Sequence, residues 1–282
     1  MRSQQVVNEH FTSAAPFWND VYQAADAAGQ RYRQRLELVL RWFDRLVLPA
    51  GTRILDVGAG AGWSSVAVAA RGFRVDAIEP VEAMLELIRA NARAAGVAER
   101  VEAETGDVHA LVAAAATYDV VLALGVVPWL HSPRRALEEI VRVLKPGGYA
   151  IVSCDNRAAL AGLLDPMRHP ALDGLRRAVS TLLRRLDIRK VPAQSVRAHL
   201  QSLRSFDRLI ESVGLTRLRG QTYGFGPFSF MNRSLPDVID LRLQAWLQRL
   251  LDNGMPLIGN YGAGYCVLAQ RLTTQPSPGG TG

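Results

Sequence analysis

The chain has 282 residues, 49% of them hydrophobic and 21% charged, with a formal net charge of +7. This is the composition of a globular protein long enough for one large domain or two small ones, and it excludes a disordered or fibrous chain. No run of about 18 or more apolar residues occurs, so no membrane span is expected.

Met1-Arg2-Ser3-Gln4-Gln5 holds no apolar signal core. Cys154 and Cys266 sit inside apolar runs and read as buried, reduced thiols. Both features suit a cytoplasmic protein. The positive charge is uneven: residues 165–220 carry 12 Arg or Lys against five acids, the whole excess of the chain. Such a segment reads as a solvated helix face, or as a surface for an anionic partner. Phe206 is its only aromatic residue, which argues against a stacking platform for single-stranded nucleic acid.

Residues 1–48 read as helical and as a lid. Arg31 to Leu48 places Leu36, Leu38, Val39, Leu40, Trp42, Phe43 and Leu46 near helical spacing, and Pro49-Ala50-Gly51 ends the pattern. From there short apolar runs near 53–57, 73–78, 100–104, 118–124 and 149–153 alternate with helical patterns, as in a parallel sheet with helices on both faces. The third run, Val101-Glu102-Ala103-Glu104, alternates in polarity and reads as an edge strand. A helical insertion is expected over 156–213, its last part a core helix from Leu203 to Val213. Two late strands, Leu215–Thr222 and Gly262–Leu272, enclose an acceptor-side segment at 223–252 that ends in an amphipathic helix, Pro236–Leu251. Residues 273–282 read as a disordered tail.

The richest motif is Ile54-Leu55-Asp56-Val57-Gly58-Ala59-Gly60-Ala61-Gly62. It is a strand running into a glycine turn, with a helical pattern from Trp63 to Ala70 behind it. Glycines let the backbone turn tightly and approach a ligand closely, and the helix start offers free N–H groups. The spacing differs from the dinucleotide fingerprint G-x-G-x-x-G. A second acid, Glu79, closes the next strand.

The pattern Asp-x-Gly-x-Gly-x-Gly with an acid ending the second strand resembles the class I S-adenosylmethionine-dependent methyltransferases, in particular small-molecule enzymes similar to the ubiquinone-biosynthesis type. Glu79-Pro80-Val81-Glu82-Ala83-Met84-Leu85, Gly106-Asp107-Val108-His109, Tyr118 to Leu124, and Ala136 to Gly148 resemble further family segments in the same order. The likeness covers roughly residues 50 to 155. It implies an α/β, Rossmann-like doubly wound sheet of seven strands in the order 3-2-1-4-5-7-6. The last strand is antiparallel, within a methyltransferase domain over 49–272.

The resemblance implies S-adenosyl-L-methionine as cofactor, held by Asp56, Gly58, Ala59, Gly60, Gly62, Glu79, Pro80, Met84, Asp107, Val108 and Leu124. Glu79 is expected on the ribose diol and Asp107 on the adenine amino group. Met84 reads either as an adenine contact or as core, and Asp56 as lying near the amino-acid end, acting through water or by bonding the N–H groups of the glycine loop. His109 reads either as site lining or as a surface histidine. Many relatives offer a base where this chain has Pro128 and Trp129, so an apolar or aromatic acceptor is plausible. Trp18, Tyr22, Trp129, Tyr223 and Phe228 are the candidate acceptor walls. His131 is the candidate catalytic base, although Ser132 beside it reads as a helix N-cap. Asp155, His199, Tyr22 and Tyr223 are lesser candidates for a base. No cluster has metal-ligand spacing.

The expected activity is therefore methyl transfer to a small, partly hydrophobic metabolite, with O-methylation ahead of C- or N-methylation. A tRNA methyltransferase and a non-catalytic cofactor-binding scaffold are the alternatives. Nucleic acid is not the expected partner, and a monomer or homodimer is expected.

Overall fold

The computed structural model describes residues 4–49, 51–172, 174, 178, 181, 198–231 and 233–273. The chain opens with α1 (Gln4–Ser13), α2 (Ala15–Asp20) and α3 (Ala27–Phe43). Asp26 caps α3, accepting from the Gly29 N–H at 2.7 Å. Strands and helices then alternate: β1 (Arg53–Val57), α4 (Trp63–Ala69), β2 (Arg74–Glu79), α5 (Glu82–Ala94), β3 (Val101–Thr105), β4 (Tyr118–Ala123), α6 (Pro133–Val143) and β5 (Leu144–Asn156). After them come α7 (Leu160–Leu164), β6 (Leu200–Gln201), α8 (Leu203–Ser212), β7 (Leu215–Tyr223), β8 (Ser229–Phe230), β9 (Arg233–Ser234), α9 (Asp237–Asp252) and β10 (Gly264–Arg271).

The main sheet runs β3-β2-β1-β4-β5-β10-β7, with β6 paired to the end of β5. Strands β3 to β5 are parallel, and β10 is antiparallel to both its neighbours. This is the expected order, with β10 and β7 as its last two members, and β3 lies on the edge as its alternating residues require. The β8–β9 pair lies within the acceptor-side segment at 223–252 and has no counterpart among the expected strands. No helix among the described residues is long and apolar enough to cross a membrane.

Alternation along the strands builds two cores. Leu55, Val57, Val121 and Ala123 face α6 and α8 through Leu137, Ile140, Phe206 and Ile210. Ile54, Val120 and Leu122 face α3 and α4 through Leu38, Val39, Trp42, Val66 and Val68. Each large side chain buried this way stabilises the fold by about 1.5–3 kcal/mol. Cys154 belongs to the first core and Cys266 to the second, and both are free thiols.

Of the helical insertion expected over 156–213, α7 and α8 are described. Residues 173, 175–177, 179–180 and 182–197 lie outside the described residues, as does the expected tail beyond 273.

Candidate active site

Strand register brings the motifs to one place. Val57 pairs with Ile78, so the residues that follow them, Gly58 and Glu79, emerge side by side. Glu79 pairs with Thr105, so Gly106 and Asp107 emerge next to it. In an open parallel sheet this carboxyl end is where ligands sit. The Gly58 N–H donates to Ile78 O at 2.7 Å, and the Gly62 N–H to Ala59 O at 2.9 Å, which closes the glycine turn. Gly60 has φ +56°, and a Cβ built on it meets no atom within 4 Å. Any side chain there would adopt a strained backbone and project into open space.

That space is a cavity of about 590 Å³. Gly58, Ala59, Gly60, Glu79, Pro80, Met84, Asp107, Val108 and Leu124 line it, as do Trp18, Tyr22 and Trp129. Helices α1 and α2 roof it: Phe11 and Trp18 pack against Val81 and Met84, and Phe11 lies edge-on to Trp129 at 5.2 Å. The roof is fastened at Asn19. Its carbonyl accepts from the Trp63 indole N–H at 3.0 Å, and its side-chain oxygen accepts from Asn91 Nδ2 at 3.0 Å. The same Asn91 nitrogen donates to Ala61 O at 2.8 Å.

Glu79 is 6% exposed. Burial pushes its carboxyl up to about 7, against the opposing N–H groups of Gly60 (2.9 Å) and Val81 (3.3 Å). Burial also acts on Asp107, but the backbone N–H and ring of His109 outweigh it and hold this carboxyl below the usual aspartate range. His109 is buried, with Nδ1 2.7 Å from Asp107 Oδ1, and it does not line the cavity.

Asp56 is buried beneath the turn rather than in the cavity wall. Its Oδ2 accepts from the hydroxyls of Ser64 (2.6 Å) and Ser65 (2.7 Å) in the first turn of α4, so it bonds the helix start and not the glycine N–H groups. Burial raises its pKa, and the two hydroxyls oppose the rise. Gly62 is the N-cap of α4 and packs on Ile88 outside the cavity.

Three expected acceptor-side residues lie elsewhere. His131 is exposed, stacks on His109 with ring centroids 3.9 Å apart, and faces Gln4 Oε1 at 3.3 Å outside the cavity. Ser132 takes the N-cap position of α6 without a side-chain cap. Tyr223 ends β7 opposite Gly264, whose missing Cβ makes room for its ring, and is buried in the core under α3. Phe228 packs with Phe225, Ala161 and Leu247 beneath α9, its N–H held by Asp240 Oδ2 at 2.9 Å. His199 uses its backbone N–H on Pro128 O and is exposed.

Helix α3 contributes lining that sequence reasoning missed: Arg31, Tyr32 and Arg35. Arg31 forms an ion pair with Asp155 at the end of β5. Arg35 donates to the Tyr22 hydroxyl. The signal was present, because Arg35 shares the helical stripe of Leu38, Val39 and Trp42, where a charge is out of place. Among the described residues no group of three His, Cys, Asp or Glu is arranged to hold a metal ion.

Residues 55–152 match the family model described as a methyltransferase domain. A demethylmenaquinone methyltransferase of Clavibacter sepedonicus is 44% identical over 112 residues, 39% of this chain and 44% of that protein. A ubiquinone biosynthesis O-methyltransferase of Azotobacter vinelandii is 35% identical over 128 residues, 45% of this chain and 54% of that protein. The chain thus spans about half the length of the curated relatives it matches. Among solved structures, the [4+2]-cyclase SpnF superposes with a TM-score of 0.61 at 19% identity, covering 96% of this chain and 97% of that one. The family match, the strand order and the glycine turn agree: residues 55–152 are the core of a class I S-adenosylmethionine-dependent methyltransferase domain.

Proposed function

We propose that the protein transfers a methyl group from S-adenosylmethionine to a small, partly hydrophobic acceptor, with oxygen as the receiving atom. The observation that carries this reading is one cavity lined both by Glu79, Asp107 and the glycine turn and by the rings of Phe11, Trp18, Tyr22 and Trp129.

The residues fit the cofactor. The buried Glu79 carboxylate lines the cavity as an acceptor for a ribose diol, the space beside Gly60 admits a ligand against the backbone, and Met84 and Val108 offer apolar contact to a purine. Asp107 accepts from the adenine amino group. Asp56 braces α4, so that the turn keeps its shape when empty. When bound, the cofactor supplies an electrophilic sulfonium methyl and leaves as the neutral thioether. Trp18, Tyr22 and Trp129 exclude water and hold the acceptor in line with that methyl, and positioning of this kind supplies most of the rate. Asp155, paired with Arg31, also lines the cavity and replaces the exposed His131 as candidate proton acceptor.

Calorimetric titration with S-adenosylhomocysteine and with nicotinamide dinucleotides tests the cofactor half, and binding of the dinucleotides alone would overturn it. Untargeted mass spectrometry of metabolite extracts, with and without the protein, tests the transfer by the mass increment of one methyl group.

A second reading is the non-catalytic scaffold, a protein that keeps the cofactor without passing on its methyl; one neighbour with the same fold is a [4+2]-cyclase. Under it, the cofactor binds and no extract component gains a methyl. Seven of the 12 cations in the basic segment that motivates a tRNA substrate lie outside the described residues.

A further inference from the structure

A groove of about 520 Å³ lies between α3 and α9 and shares no lining residue with the cavity described above. Gln30, Arg33, Gln34 and Glu37 line it from α3, and Arg242 and Arg249 from α9. None of the three arginines forms an ion pair among the described residues. The amide oxygens of Gln30 and Gln34 are buried without a hydrogen-bond partner.

The groove borders an exposed face of α9. Residues i, i+3, i+7 and i+10 share one stripe of a helix, and here they are Ile239, Arg242, Trp246 and Arg249. Asp240, Gln244 and Leu247 bury the opposite face of α9, whereas Ile239 is 55% and Trp246 53% exposed. The stripe carries no acid. Apolar and cationic side chains that alternate along one exposed face, with a tryptophan among them, match the boundary of a bilayer. Indole sits there at head-group level, and guanidinium meets phosphate. The lining of the groove defines the head group. Arginines donate to phosphate oxygens, and the two open amide oxygens accept from hydroxyls. A phosphodiester that carries hydroxyls supplies both.

We propose that the α3–α9 face docks on a membrane surface, with Ile239 and Trp246 at the acyl boundary and an anionic, hydroxyl-bearing phospholipid head group in the groove. The contact is peripheral and needs no membrane-spanning helix. It is independent of the methyl-transfer reading, and its test needs no cofactor.

The full chain is sedimented with vesicles of phosphatidylcholine alone, or with an equal share of phosphatidylglycerol or phosphatidylmethanol added. Phosphatidylmethanol has the same charge as phosphatidylglycerol and lacks its hydroxyls. We expect phosphatidylglycerol to raise binding about tenfold or more over phosphatidylcholine alone, and about threefold over phosphatidylmethanol. Arg242→Gln with Arg249→Gln should cost about tenfold, and Trp246→Ser about threefold or more. Gln30→Leu with Gln34→Leu should abolish the preference for phosphatidylglycerol over phosphatidylmethanol. Arg204→Gln with Arg208→Gln removes the same charge from exposed positions of α8, which packs on the other core, and should change binding by less than about threefold. Urea midpoints show that the variants fold. The proposal falls if phosphatidylglycerol adds nothing, or if the α8 variant loses as much as the α9 variant. It falls if the preference over phosphatidylmethanol is absent or survives the glutamine changes. It also falls if glycerol phosphate binds wild type and Trp246→Ser alike at micromolar concentration, since the ligand is then a soluble phosphate. Conversion of a dimer into a monomer by Trp246→Ser, read by size-exclusion chromatography, overturns it too, because the face is then a contact between two copies.

Discussion

The Gly60 N–H donates to Glu79 Oε2 at 2.9 Å, joining the turn after β1 to the acid that ends β2. Two segments 19 residues apart thereby form one surface. The carboxylate that we assign to the ribose also fixes the backbone beside it.

The first prediction concerns pH and stability. Glu79 titrates near 4.5 in an unfolded chain and is pushed up to about 7 by burial. Between these values the folded protein holds a proton that the unfolded one has lost, so stability falls as pH rises through the window. Above about 7 the full penalty, on the order of 3 kcal/mol, is present. Urea titrations of ligand-free wild type and Glu79→Gln should show the wild-type deficit growing by about that amount between pH about 4 and 8. A pH-independent difference would contradict the assignment.

The second prediction concerns the ligand. Two ribose hydroxyls donate best to the ionised form of Glu79. S-adenosylhomocysteine affinity should therefore rise by up to about tenfold per pH unit on approach to about 7, then level off, with a proton released on binding. Glu79→Ala should cost about 1.5–3 kcal/mol, roughly ten- to a hundredfold, and flatten the profile. Calorimetry in buffers of different ionisation heat reads both effects, and an unaltered affinity in the variant removes Glu79 from the site.

The third prediction separates bracing from binding. Asp56→Ala strips the buried hydroxyls of Ser64 and Ser65 of their acceptor. The expected loss is about 2–4 kcal/mol of stability. Replacing both serines with alanine in the same chain should recover part of it, and no recovery would mean that the lost hydrogen bonds are not the cause.

The fourth prediction compares neighbours. Trp129 lines the cavity and meets Phe11 of α1, while His131 lies outside it. Trp129→Ala should lower kcat/KM for the acceptor by about tenfold or more, with cofactor affinity changed by less than about threefold. His131→Ala should leave kcat within about threefold. Equal effects of the two variants would mean that the acceptor sits elsewhere.

The legible parts were those in which local pattern and function coincide. Strand β1, its glycine turn and Glu79 can be read because apolar runs, glycines and an acid recur at short range, and parallel register does the rest. Strand β3 showed its edge position through Glu102 and Glu104. Tyr223 and Phe228 misled because an aromatic-rich segment does not disclose which way its rings turn. One ring lies over Gly264 and the other under α9, each settled by a partner far along the chain. Arg35 was missed for the opposite reason. Its helix was legible, but a single cation among apolar neighbours acquires meaning only once Gly125 and Tyr22 are seen around it.

Asn19 fastens the roof to Trp63, and Asn91 ties the same point to Ala61 in the glycine turn. Roof docking and turn geometry thus share atoms, and thermodynamic linkage makes their coupling reciprocal. Whatever factor a docked roof adds to cofactor affinity, the cofactor adds to roof docking. Asn91→Ala should weaken that factor in both directions, so an amide deep in α5, touching neither ligand, governs how strongly occupancy at one end of the cavity is felt at its entrance.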